Sequence, residues 1–366
     1  MKQWLAGLLV LMSPSAFAQS TSAPELAFDS VPNFIKLPPD MSFGEASGVA
    51  VNSKGLIYVY SRGGSSVGPA YGNTASQILQ FNKNGQFMRE VGKNIYAWAF
   101  AHTVRVDKED NIWATDKGSD MIVKMSPEGR VLMVFGRKSE ASDHDAHPLD
   151  RPNPPLPAIN GRFRQPTDVA WDKAGNAYIS DGYINSRVAK VSKNGDWLKS
   201  WGTKGKGDGQ FDTLHTIASD NEDNIYVGDR NNRRVQVFDT EGNFKRKFSI
   251  DIPAPDDAQP AIGNKPNLAN WPAEGGTQTP GAPWAICITP GPKQVMYISD
   301  AFPGRVYKLS LDGKVLGWIG KSGKQLKQFG WVHQIACPSE NEIYVAEILN
   351  WRVQKLMIKG DQRADR

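Results

Sequence analysis

The chain has 366 residues and a formal net charge of +5, with its Lys and Arg scattered rather than gathered into a block. That pattern lacks the concentrated basic face a nucleic-acid partner requires, and no apolar run approaches the ~20 residues of a membrane-spanning helix. Abundant Gly (35) and Pro (24), together with 11 Trp, suit many short strands joined by tight turns.

The N-terminus comes first. Lys2, an apolar stretch over residues 5–12 and the small-x-small sequence Ala16-Phe17-Ala18 have the layout of a secretory signal peptide covering residues 1–18. No Cys lies near the cleavage point, which argues against a lipid anchor, so the mature chain is expected to be exported, periplasmic or secreted. Loss of Lys2 leaves a net charge of +4. Residues 19–29 read as a linker, and residues 32–37 as the first strand.

A repeat then runs to the end of the chain. Its clearest mark is a second strand ending in an acidic or small residue. The endings are Tyr60-Ser61, Thr115-Asp116, Ser180-Asp181, Gly228-Asp229, Ser299-Asp300 and Ala346-Glu347. Third strands follow with period-two alternation, as at Arg187-Val188-Ala189-Lys190-Val191 and Arg234-Val235-Gln236-Val237-Phe238. Hairpin turns such as Asn194-Gly195 and Asp312-Gly313 lead into a fourth strand. Six copies of four antiparallel strands predict an all-β, six-bladed β-propeller over residues 30–358, with a short tail at 359–366. The last copy stops near Met357 after three strands. The N-terminal strand at residues 32–37 is expected to complete it and remove an open edge. Two stretches break the period, near residues 137–162 and 251–283, and read as long surface loops.

Three of the five histidines share one phase of this repeat. His102, His215 and His333 each precede their second-strand terminus, Asp116, Asp229 and Glu347, by 14 residues. The equivalent positions are Ser47 in blade one, Thr167 in blade three, and Trp284 or Ala285 in blade five. Histidines on alternate blades, at the start of the strand lining the axis, converge from directions about 120° apart. Such a set leaves a coordination position open, as a catalytic zinc requires. A single histidine at this phase would read as a strand cap; three together favour a metal. His144 and His147, an H-x-x-H pair in a polar loop, read as solvated.

Second strands run back toward the same opening, so the residues just past their ends should ring it. They are Arg62, Lys117, Tyr183, Arg230, Ala301 with Phe302, and Ile348. Arginines there suit a carboxylate-bearing substrate, and a tyrosine among cations suits a base. Lys117 reads as an ordinary surface residue. Cys287 and Cys337 occupy similar phases of adjacent repeats; a disulfide and two buried thiols both fit.

These residues also carry a resemblance. The repeats resemble NHL repeats. The stretches Gln165-Pro166-Thr167-Asp168 and Ser180-Asp181-Gly182-Tyr183-Ile184-Asn185-Ser186-Arg187 resemble the catalytic lyase domain of peptidylglycine α-amidating enzymes, as do Gly209-Gln210-Phe211 and Asp229-Arg230-Asn231-Asn232-Arg233. The resemblance implies a peptidyl-α-hydroxyglycine α-amidating lyase, in which zinc is held by residues matching His102, His215 and His333. Tyr183 would be the catalytic base, with Arg62 and Arg230 as active-site arginines. It implies a calcium ion as well, bound by main-chain oxygens at Val49 and Val104 and by the side chain at 334. A separate hydroxylating enzyme would supply the substrate. The chain departs from the pattern in three places. Ile184 replaces a cysteine, Trp331 replaces a methionine, and Gln334 replaces an aspartate, which weakens the calcium site by one charge. Two alternatives are a zinc hydrolase of esters or lactones on the same face, and a non-catalytic NHL-type protein-binding platform.

Overall fold

The computed structural model describes residues 22–63, 76–139 and 157–359. Six four-stranded antiparallel sheets form the blades of a propeller. The innermost strands, in blade order, are Glu45–Val51, Ala101–Val106, Asp168–Trp171, Leu214–Ser219, Ala285–Ile288 and Val332–Ala336. Each packs beside the next around the central axis. Second strands such as Ile112–Asp116, Ala177–Asp181 and Ile225–Asp229 are buried at every position, since neighbouring blades cover both faces of each sheet. Only the outer strands meet solvent broadly: Val131, Leu132 and Val134 are exposed.

The turn from first to second strand is fixed by side chains. Asp107, Asp172 and Asp220 each accept backbone N–H bonds through Oδ1, from Asn111, Asn176 and Asn224 respectively. Their second oxygens take the Trp113 indole N–H and the Tyr178 and Tyr226 hydroxyls. Local turn chemistry and aromatic burial are therefore tied together in three blades.

The N-terminal strand does close the last blade, but through different residues from those expected. Phe28–Ser30 pairs with Arg352–Ile358 in the register Phe28↔Ile358, Asp29↔Met357 and Ser30↔Leu356. The apolar residues of 32–37 have another task. Phe34, Ile35 and Leu37 pack against the first blade's core, and Lys36 forms a parallel bridge with Gln86. Apolar composition marks burial against a core, and here the burial is not accompanied by a full ladder. Upstream, Leu26 N–H donates to Trp318 O on the outer strand of blade five. Cys287 and Cys337 form a disulfide with Cα atoms 6.1 Å apart, joining the innermost strand of blade five to the residue just past the end of that of blade six. No described helix is long and apolar enough to cross a membrane.

Candidate active site and metal centre

The carboxylates ending the second strands are structural. Asp116 accepts the N–H groups of Ala99 and Phe100; Asp229 accepts that of Asp212, and Glu347 that of Gly330. Each bond anchors the loop entering an innermost strand. That strand then skips one residue in its pairing, between Ala101 and Thr103, Leu214 and Thr216, or Val332 and Gln334. The skipped residues are His102, His215 and His333. A bulged residue escapes the pleat and can be re-aimed, which here turns each imidazole toward the axis.

The three rings meet there. Their centroids lie 4.5, 4.8 and 4.8 Å apart, and the candidate ligand atoms fall within 4.8 Å of one another. All three side chains are buried. His102 Nδ1 lies 2.7 Å from Thr167 O, His215 Nδ1 2.6 Å from Trp284 O, and His333 Nδ1 2.7 Å from Ser47 O. A carbonyl can only accept, so Nδ1 carries the proton and each Nε2 lone pair is left for a ligand. His215 Nε2 is buried with no hydrogen-bond partner. Burial, reinforced by neighbouring cations, holds all three rings well below the usual histidine range, so they are neutral near pH 7. Three neutral nitrogens, one an orphaned buried acceptor, fit a divalent metal ion.

Of the residues expected just past the second-strand ends, Tyr183, Arg62 and Arg230 lie near the rings. Tyr183 Oη lies 3.4 Å from His102 Nε2 and 3.5 Å from Arg230 Nη1. Burial raises the phenol pKa, but the Arg230, Lys117 and Arg62 charges outweigh it and bring it down to about 8. Arg62 is braced: it donates to Ala101 O and to Glu45, and it lies 3.8 Å from the centre of the Phe100 ring. Its influence on Tyr183 is through its field. Lys117 differs from expectation. Its ammonium sits 3.9 Å from the Tyr183 ring centre, so it belongs to the site.

The far wall is aromatic. Trp284 packs on His215 with centroids 5.1 Å apart and on Trp331 at 5.2 Å, while the Arg230 guanidinium lies 4.6 Å from the Trp284 ring centre. Ala301 and Ile348 are part of the same apolar cluster. Trp284 N–H donates to Ser299 O, which makes Trp284 the blade-five equivalent of the histidines. His144 and His147 lie outside the described residues.

Beneath the histidines, Gln334 reaches across the axis. Its Oε1 accepts the Val49 and Val104 N–H groups at 3.1 and 3.0 Å, and its Nε2 donates to Val104 O at 2.7 Å. Two amide N–H groups directed inward and a carbonyl already capped by a donor do not fit a calcium ion, which needs converging oxygens.

Fold and site together define a six-bladed β-propeller with a three-histidine cluster on its axis. The NHL-repeat family model matches residues 211–238. The chain is 29% identical over 222 residues to peptidylglycine alpha-amidating monooxygenase of Rattus norvegicus, covering 54% of this chain and 21% of that protein. It is 27% identical over 288 residues to peptidyl-alpha-hydroxyglycine alpha-amidating lyase 1 of Drosophila melanogaster, covering 75% of this chain and 47% of the relative. The matched part thus spans about a fifth to a half of these relatives. Among solved structures, a streptogramin B lyase superposes with a TM-score of 0.54 at 12% identity, over 91% of this chain and 98% of that one. At that identity the likeness concerns the fold alone.

Proposed function

We propose that this protein is a zinc-dependent lyase that cleaves a peptidyl-α-hydroxyglycine, or a related carbinolamide, into an amide and glyoxylate. The observation carrying this reading is the Tyr183 hydroxyl, 3.4 Å from the metal-facing nitrogen of His102 and beside three cations. Zinc bound by the three rings supplies the Lewis-acid polarisation that makes a nearby hydroxyl more acidic.

The chain's own groups do the rest. With its pKa brought down to about 8 by the neighbouring cations, Tyr183 reaches its phenolate form near neutral pH, and that form takes the substrate's hydroxyl proton. The electron pair of the broken O–H bond forms the aldehyde C=O as the C–N bond breaks. The C–N pair stays on nitrogen, which takes up a proton and leaves as the amide. Atoms and charge balance without a co-reactant. Arg230, between Tyr183 and Trp284, anchors the substrate carboxylate and, with Lys117 and Arg62, keeps the phenolate favoured. The second-strand carboxylates are engaged with loop backbone, as Asp116 is with Ala99 and Phe100, which favours the phenol as base. The signal-like N-terminus and the Cys287–Cys337 disulfide support export to the periplasm or exterior, where a separate hydroxylating enzyme would supply the substrate.

The test is direct. Zinc-loaded mature protein given a short N-acylated α-hydroxyglycine should release glyoxylate and amide in equal amounts, with loss on chelation and recovery on zinc addition. Ester or lactone cleavage without glyoxylate would replace the lyase reading with hydrolysis. No turnover of any of these would leave a binding platform.

A further inference from the structure

The polar layer directly beneath the histidines has no part in that reaction, and its composition is unusual for the centre of a propeller expected to hold a cation. We infer that Gln334 takes the place of the axial calcium, so that this propeller closes and keeps its metal centre without that ion.

The argument starts from donor and acceptor counts. A carboxylate at position 334 would offer only acceptors. Facing Val104 O, it would create an oxygen-lined cradle that a divalent cation could bridge. An amide supplies one acceptor and one donor group. Here Oε1 takes two inward N–H groups, from Val49 in blade one and Val104 in blade two. Nε2 satisfies Val104 O. Gln334 is itself 1% exposed, so one neutral side chain from blade six joins blades one and two where water does not compete.

Two further features shape the layer for this role. A Cβ added at Gly48 would lie 2.7 Å from Gln334 Oε1 and 2.9 Å from Val104 N, so the amide fits only because residue 48 has no side chain. Arg105, next to Val104, spans the axis in the other direction. Its Nε and Nη2 donate to Asp168 at 2.9 and 2.6 Å, and Nη2 also donates to Ile286 O at 3.0 Å. Thr216 Oγ1 donates to Asp168 at 2.9 Å and accepts the Ile286 N–H at 3.0 Å. Blades two, three, four and five are tied by these bonds, and blades six, one and two by Gln334. Both oxygens of the one carboxylate named in this layer, Asp168, are already taken by the Arg105 guanidinium, which leaves no free anionic ligand for a cation.

The experiment reads calcium content and melting temperature, neither of which depends on the identity of the substrate. Zinc-loaded wild-type protein, dialysed against calcium chloride and desalted, should retain no stoichiometric calcium. Its melting temperature should be the same with and without added calcium. Gln334→Asp should melt lower than wild type by roughly 5 °C or more and recover much of that loss when calcium is added. Gln334→Ala should melt lower without recovery. Retention of about one calcium per wild-type chain, or a wild-type melting temperature that climbs by several degrees with calcium, overturns the inference. So does a folded Gln334→Asp protein that ignores calcium. Should that variant not fold, the wild-type measurements still decide.

Discussion

His333 Nδ1 lies 2.7 Å from Ser47 O, and this bond joins the last blade to the first at the level of the three-histidine cluster. It repeats between His102 and Thr167 O and between His215 and Trp284 O. The six equivalent positions therefore alternate around the axis, three providing imidazoles and three providing the carbonyls that orient them. Orientation of the imidazoles and closure of the propeller are coupled, because the acceptor for each ring belongs to a neighbouring blade.

The mature protein is accordingly expected to hold about one zinc per chain. His102→Ala, His215→Ala and His333→Ala should each reduce zinc content sharply in elemental analysis, while His144→Ala should not. Full zinc occupancy in all three axial variants would refute the centre.

Tyr183→Phe removes one oxygen and leaves the ring packing on His102 and His215 in place. Fold and zinc content should persist while turnover falls ~10²–10⁴-fold, the usual range for loss of a general base. A loss smaller than a few-fold would assign Tyr183 to packing and require another proton acceptor.

The cations overlap in task. Arg230→Ala should weaken kcat/KM by roughly 10–100-fold through both KM and kcat, because a charge-assisted contact to the substrate carboxylate and the leading positive charge beside the Tyr183 phenol are lost together. Lys117→Ala and Arg62→Ala should act mainly on kcat, since each removes positive charge near the phenolate. Steady-state kinetics that placed the Lys117 effect wholly in KM would instead make Lys117 a substrate anchor.

Much of this was legible in the sequence for a physical reason. Residues such as Asp116 and Glu347 must end their strands with an acceptor for loop N–H groups, so the repeat and the 14-residue histidine spacing recur in the chain. Contacts between blades leave no such periodic trace. Nothing local to Lys117 shows that its ammonium will rest on the Tyr183 ring, which belongs to the next blade. Nor does the neighbourhood of Gln334 reveal that its amide will meet Val49 and Val104. The expectation for the closing strand differs from the structure because residues 32–37 are a short apolar segment of strand-like composition. Their apolar side chains instead cover the first blade, and the shorter Phe28–Ser30 supplies the ladder.

The last prediction concerns stability against pH. Asp120 is buried, and burial lifts its pKa from 3.8 to about 7; the Gln165 N–H bond lowers it again only in part, and the Asp181 and Asp116 charges raise it further. Between those two values the folded protein keeps a proton that the unfolded chain releases. The stabilising contribution is therefore greatest at low pH, shrinks as pH rises from about 4 to 7, and is gone above about 7. Asp229 and Asp300, both raised by burial to about 6, act in the same direction. Asp120→Asn keeps an oxygen to accept the Gln165 N–H and tolerates the local φ of 59°, so it mimics the protonated acid at every pH. Its stability relative to wild type should rise by about 1–3 kcal/mol between pH 5 and pH 8, an upper range set by ~1.4 kcal/mol per pKa unit. Chemical denaturation of both proteins at the two pH values measures the difference. A relative stability that stays flat would show that Asp120 is ionised in the folded protein throughout.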